Sequence, residues 1–155
     1  FRMDRADVAL IEALQRDSSR SIAELAEVTA LSPSACHRRI HALQAQGIIS
    51  GYSARIDPAR LGLTMLVFVE ITLTSQSREA MDRFERAVGD FDDILECHLM
   101  SGSADYLLRV AAVDLAQYDR IHRDCLARLP GVSAMRSSFS LRQIKRFAGY
   151  PVPHR

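Results

Sequence analysis

Ser34, His37, Arg38 and His41 lie three and four residues apart within the stretch from Leu31 to Tyr52, LSPSACHRRIHALQAQGIISGY. Side chains at that spacing share one side of a helix, here a hydroxyl, two imidazoles and a guanidinium. Short polar residues at the start of such a helix, followed by cations, suit entry into a DNA major groove, and Ser34 and Ala35 are small enough for close approach. On this reading Ser34, His37, Arg38 and His41 reach bases or nearby phosphates, while Ser32 and Arg39 hold phosphates or the helix end. A surface helix with solvated charges would show the same residues, so the neighbouring elements must decide. His37 and His41, four apart, could also hold a metal from one helix face, but no third ligand lies nearby in the chain. DNA contact or a solvated face is preferred, and neither a metal nor a cofactor is expected.

The elements around this stretch supply the decision. Ser32 is a good N-cap, Pro33 falls at the first helical position, Cys36, Ile40 and Leu43 form one apolar stripe, and Gly47 stands where a stop belongs. Upstream, Asp4 and Asp7 form an acidic capping pair for a first helix that buries Val8, Leu10, Ile11 and Leu14. Ser21 and Glu24 form the S-x-x-E box of a second helix carrying Ile22, Leu25, Ala26 and Val28. Only Ala30 and Leu31 separate that helix from the Ser32 cap, which predicts a helix-turn-helix whose turn lacks the usual glycine. Ile48 to Ile56 has β-like composition and is expected as a short wing or a linking strand.

Local charge agrees. The net charge of the 155 residues is only +1, yet no carboxylate side chain occurs between Glu27 and Asp57, where Arg38, Arg39 and Arg55 stand with two histidines. Such segregation fits a phosphate-facing surface. Three widely spaced cysteines, Cys36, Cys97 and Cys125, sit in apolar patterns and read as reduced packing residues. No apolar run approaches the roughly 20 residues that span a bilayer, and the start lacks the apolar core of a signal peptide. A soluble cytoplasmic protein without membrane contact is therefore expected.

Beyond Pro58 to Gly62, a brief segment with turn chemistry, the period changes from helical to alternating. Met65, Val67, Val69, Ile71 and Leu73 share one face of a strand, with Leu66, Phe68, Glu70 and Thr72 on the other, so both faces should be covered. A helix follows over Ser77 to Val88, then strands over Ile94 to Ser101 and Asp105 to Ala112. A tight hairpin at Gly102, Ser103 and Ala104 joins these two. Asp114 caps a helix running toward Leu129, Pro130 and Gly131 break it, and Val132 to Leu141 is a last strand. The order strand, helix, strand, strand, helix, strand is the ferredoxin-like βαββαβ sandwich, with two helices on one sheet face and, most economically, a second copy of the chain on the other. The fold class is thus α+β: a (winged) helix-turn-helix domain over 1–52, a linker strand or hinge over 53–63, and a ferredoxin-like effector-binding and oligomerisation domain over 64–155.

The segments LSPSACHRR (Leu31 to Arg39), GIISGYSARIDP (Gly47 to Pro58), LVFVEITL (Leu66 to Leu73), ECHLMSGSADYLL (Glu96 to Leu108) and LPGV (Leu129 to Val132) resemble the Lrp/AsnC (feast/famine) bacterial transcription regulators. The resemblance runs from Met3 to about Pro153. It implies a DNA-binding N-terminal domain, a ferredoxin-like ligand-sensing domain of the RAM/ACT-like kind, amino-acid effectors, and homodimers that assemble into tetramers or octamers. Ser103 and Gln44 stand where the family commonly carries acidic residues. The final stretch, SSFSLRQIKRFAGYPVP, resembles the branch that controls amino-acid transport or catabolism.

With that resemblance, the hairpin from Ser101 to Tyr106 becomes the candidate effector site. Its backbone N–H groups around Gly102 suit an α-carboxylate, and Asp105 suits an α-ammonium. Leu99 and Met100 would line it, and Ser137 and Ser138 would complete it from a neighbouring subunit, because family pockets lie between subunits. The residues alone also describe a plain turn in which Gly102 permits the bend, Asp105 caps it and Tyr106 packs. Catalysis is not expected: there is no G-x-S-x-G elbow, phosphate loop, C-x-x-C pair or H-E-x-x-H, and Cys97 and His98 point to opposite faces of a strand. The remaining alternative is an architectural DNA-binding protein that needs no effector.

Overall fold

Asp4 sets the first helix through two reciprocal bonds: Asp7 N–H donates to its carboxylate and Asp4 N–H donates to that of Asp7, both at 3.0 Å. In the computed structural model, which describes residues 1–153, this cap opens α1 (Arg5–Arg16). The elements that follow are α2 (Ile22–Thr29), α3 (Pro33–Ala45), β1 (Met65–Leu73), α4 (Arg78–Val88), β2 (Ile94–Leu99), β3 (Tyr106–Ala112), α5 (Leu115–Asp124) and β4 (Val132–Ser140). They divide into two compact units. One holds residues 1–55 together with the described residues from 144 on, and the other holds Ile56–Gln143.

In the first unit Leu10 and Ala13 of α1, Leu25 and Ala26 of α2, and Cys36, Ile40 and Leu43 of α3 form one core. Ser21 accepts from Glu24 N–H at 3.1 Å, but the return bond of the expected capping box is not made. The turn into α3 needs a left-handed residue, and with no glycine available Ala30 adopts φ 56° itself, at a cost of about 1–2 kcal/mol. Gly47, at φ 72°, closes α3: Ile48 N–H donates to Leu43 O and Gly47 N–H to Gln44 O, both at 3.0 Å. The expected wing strand over Ile48 to Ile56 is absent. A strand exists only by pairing, and among the described residues no segment offers that stretch a ladder.

The second unit is an antiparallel sheet of order β2-β3-β1-β4. Val67, Val69, Ile71 and Leu73 of β1 and Tyr106, Leu108, Val110 and Ala112 of β3 make one buried face, covered by Phe84 of α4 and by Tyr118 and Ile121 of α5. This is the ferredoxin-like arrangement. The opposite face, bearing Leu66, Phe68, Glu70 and Thr72, is uncovered within one chain, and Phe68 is 37% exposed. α5 ends earlier than its apolar pattern implied. Leu126–Arg128 forms a single 3-10 turn, and Leu129 is extended, as the residue before a proline prefers.

The expected tight hairpin is wider. β2 stops at Leu99, β3 starts at Tyr106, and the loop is closed by Met100 N–H donating to Asp105 O at 2.8 Å. Gly102 does not have a left-handed φ, and a Cβ there would meet nothing within 4 Å. The bend therefore does not demand glycine. Among the described residues no helix is long and apolar enough to cross a membrane.

Candidate DNA-binding face and effector loop

α3 buries Cys36, Ile40 and Leu43 and turns Ser34, His37, Arg38 and His41 outward as one exposed stripe. Ser32 is the helix cap, its hydroxyl accepting from Ala35 N–H at 3.2 Å, which gives it the helix-end role among those considered. Ala35 is half-buried at the edge of the stripe. The rings of His37 and His41 meet with Nε2 atoms 3.1 Å apart. Among the described residues no group of three or more metal-ligating side chains gathers.

Arg39 points elsewhere than its neighbour Arg38. Its Nη1 donates to both carboxylate oxygens of Asp4 at 2.8 Å and to Asp7 Oδ1 at 3.1 Å, so it clamps α3 to the start of α1. Asp7 is only 8% exposed there and Arg39 27%. The Asp7 backbone N–H, then Arg39, holds the Asp4 carboxyl below its ordinary pKa, and the two carboxylates push the guanidinium of Arg39 upward. The expectation that Arg39 holds a phosphate gives way to this clamp, because its Nη1 is committed to the two carboxylates and its Nε is buried without a partner among the described residues. Acidic residues at Asp4 and Asp7 were legible as caps. That each had an oxygen left for a cation 35 or 32 residues away was not.

At the other candidate site, Leu99 and Met100 are 62% and 43% exposed, and Ser101, Gly102 and Ser103 are open to solvent. No carbonyl of the described residues accepts from the N–H groups of Ser101, Gly102, Ser103 or Ala104. Asp105 is half-buried and already employed: its Oδ2 accepts from Leu73 N–H at 2.7 Å and from Gln76 Nε2 at 3.2 Å, and its own N–H donates to Ile71 O at 2.8 Å. It ties the end of β1 to the loop and leaves Oδ1 free. Tyr106 does not face the loop. It is 1% exposed, its ring lies 4.4 Å from that of Phe84, and its hydroxyl donates to Glu85 at 2.7 Å, a burial that raises its pKa.

Ser137 and Ser138 are not brought to the loop within one chain. They lie on β4, paired with Val69 and Phe68 of β1, and β4 and β3 flank β1 on opposite sides, about 9–10 Å apart by strand spacing. Ser137 faces the helices, where its hydroxyl meets that of Tyr118, and Ser138 faces the uncovered side.

Three capped helices presenting a polar stripe, joined to a ferredoxin-like unit, define a helix-turn-helix regulator with a ligand-binding domain. Residues 3–44 match the AsnC-type helix-turn-helix domain and residues 66–149 the Lrp/AsnC ligand binding domain. The chain belongs to the Lrp/AsnC family of transcriptional regulators. It is 38% identical to the leucine-responsive regulatory protein of Escherichia coli K12 over 144 residues, 93% of this chain and 88% of that protein. Among solved structures it is similar to a Neisseria meningitidis transcriptional regulator in complex with L-Met, at TM-score 0.91, 30% identity and 97% coverage of both chains. An AsnC family regulator from Agrobacterium tumefaciens gives TM-score 0.91 at 36% identity, covering 96% of this chain and 97% of its own.

Proposed function

We propose that this regulator reads double-stranded operator DNA with the stripe Ser34, His37, Arg38 and His41, and that a free amino acid held at the 100–105 loop alters its DNA affinity or assembly. The observation that carries the effector reading is the row of unengaged N–H groups at Ser101 to Ala104 beside the open Oδ1 of Asp105. Unengaged backbone donors suit an α-carboxylate and a nearby anion suits an α-ammonium, the two features every amino acid shares. Leu99 and Met100, both exposed, supply the apolar contact that would select a side chain. The relatives named for leucine response and for an L-Met complex support the same class.

Assembly enters through the uncovered sheet face, where a second copy would bury Leu66 and Phe68 and bring Ser138 toward a neighbouring loop. Filling a site between subunits changes how dimers stack, and stacking sets the spacing of the reading helices along DNA. The genes controlled would be those of amino-acid metabolism or transport, in the cytoplasm. A thermal-shift screen against the twenty amino acids tests the reading, because a ligand that binds only the folded state raises apparent stability. A rise with one or a few amino acids is expected. No rise with any of them at high concentration would replace it with an architectural DNA-binding protein that takes no amino-acid effector.

A further inference from the structure

The family's ligand-binding domain extends to residue 149 by sequence, yet the described residues from 144 on belong with the DNA-binding unit. The attachment is specific. The side-chain amide of Gln15, near the end of α1, brackets the peptide of Tyr150: Tyr150 N–H donates to Gln15 Oε1 at 2.6 Å, and Gln15 Nε2 donates to Tyr150 O at 3.0 Å. Gly149 makes this possible. Its φ is +128°, and a Cβ would lie 2.8 Å from Gln15 Oε1 and 3.1 Å from Gln15 Cδ, so no other residue fits without displacing the bracket. The Phe147 and Tyr150 rings pack edge to face at 4.9 Å.

The tail runs beside Ile11 and Leu14 of α1, which also pack at the edge of the three-helix core. Leu10 and Ala13 are buried in the three-helix core, and Ile11 and Leu14 at its edge line an open groove of about 740 Å³ with Tyr52, Phe147, Tyr150 and Val152. α1 is also held at its other end by Arg39 of α3. A chain of direct contacts thus runs from Tyr150 through Gln15 and α1 to Asp4, Asp7 and Arg39, the residue next to Arg38.

We propose that residues 147–153 are an integral latch of the DNA-binding unit, locked by Gln15, and that seating this latch holds α1 and, through it, the reading helix. The polypeptide crosses between the two units twice, between residues 55 and 56 and again between 143 and 144. The latch is thereby a second covalent tie from β4 to the DNA-binding unit, placed to convey changes in the ligand-binding unit.

The test compares the full chain with Gln15→Ala, Gly149→Val and a chain ending at Gln143, by hydrogen exchange and by binding to a mixed-sequence DNA duplex at low salt. Loss of the two bracketing bonds predicts exchange on the order of tenfold faster in α1 amides. β1 and β3 amides should keep their wild-type rates, and DNA affinity should fall severalfold. Unchanged α1 protection in all three variants would overturn the latch, as would a loss spread equally over the sheet. Loosened α1 with wild-type DNA affinity would refute control of the reading helix. The DNA arm rests on the role given to α3 above and the exchange arm does not, so the two failures are distinguishable.

Discussion

Replacing Arg39 by Ala separates the clamp from a phosphate contact. Asp7 Oδ2 keeps its bond from Asp4 N–H, but Oδ1 has Arg39 as its partner and the residue is 8% exposed. Orphaning a bond to a buried charged acceptor costs about 1.5–3 kcal/mol. Because the Arg39 side chain is 27% exposed, water and salt screen the pair, which lowers the expected loss to about 1–2 kcal/mol. Followed by circular dichroism in urea, that loss moves the midpoint down by about 0.5–1 M at ordinary denaturant slopes. The salt dependence of DNA binding should stay as in the wild type, since the Arg39 charge is paired with Asp4 and Asp7. Arg38→Ala should do the opposite, leaving stability within about 0.5 kcal/mol and flattening the plot of log affinity against log salt by about 0.9 if Arg38 neutralises one phosphate. An Arg39→Ala protein with an unchanged midpoint and a flattened salt plot would refute the clamp.

The same clamp weakens in acid. The folded-state pKa of Asp4 is depressed below its ordinary 3.8, so its contribution is present above that value and is lost as pH falls through the depressed one. Acid unfolding of Asp4→Asn should accordingly show a shallower pH dependence below pH of about 4. Gly102→Val should fold normally, since a Cβ there meets open space, and should abolish the thermal shift given by whichever amino acid binds; a retained shift would remove the loop from the site. Asp105→Ala should abolish the amino-acid response while sparing DNA binding without effector, and should also destabilise the chain by about 1–3 kcal/mol through the lost Leu73 N–H bond; calorimetry separates the two effects. Burial raises the pKa of the Cys36 and Cys125 thiols, that of Cys125 to about 11. Alkylation by iodoacetamide at mildly alkaline pH should therefore be slow in the native protein and fast in denaturant, read by mass spectrometry.

Much of the architecture was legible because its causes are local. The caps at Asp4, Ser21 and Ser32 act over three residues, and the alternation along Met65 to Leu73 marks the buried sheet face directly. The exposed stripe of α3 follows from the same helical period that marks Cys36, Ile40 and Leu43 as core. The ferredoxin-like order follows from the succession of two periods.

Long-range partners were decided only in three dimensions. Two adjacent arginines look alike in the chain, yet Arg39 is spent on Asp4 and Asp7 while Arg38 stays exposed on the outer stripe of α3. Asp105 and Tyr106 left two roles open in the chain, effector contact or a capped and packed turn, and packing commits one to Leu73 and Gln76 and the other to Glu85. Ile48 to Ile56 has the composition of a strand without the partner that would make it one. The tail from 144 on, continuous in sequence with the last strand, finds its partner 135 residues away at Gln15. Caps and periodicity depend on residues within a turn of one another. A side chain's last hydrogen bond depends instead on which distant groups arrive beside it once the core has closed, and only the assembled fold determines that.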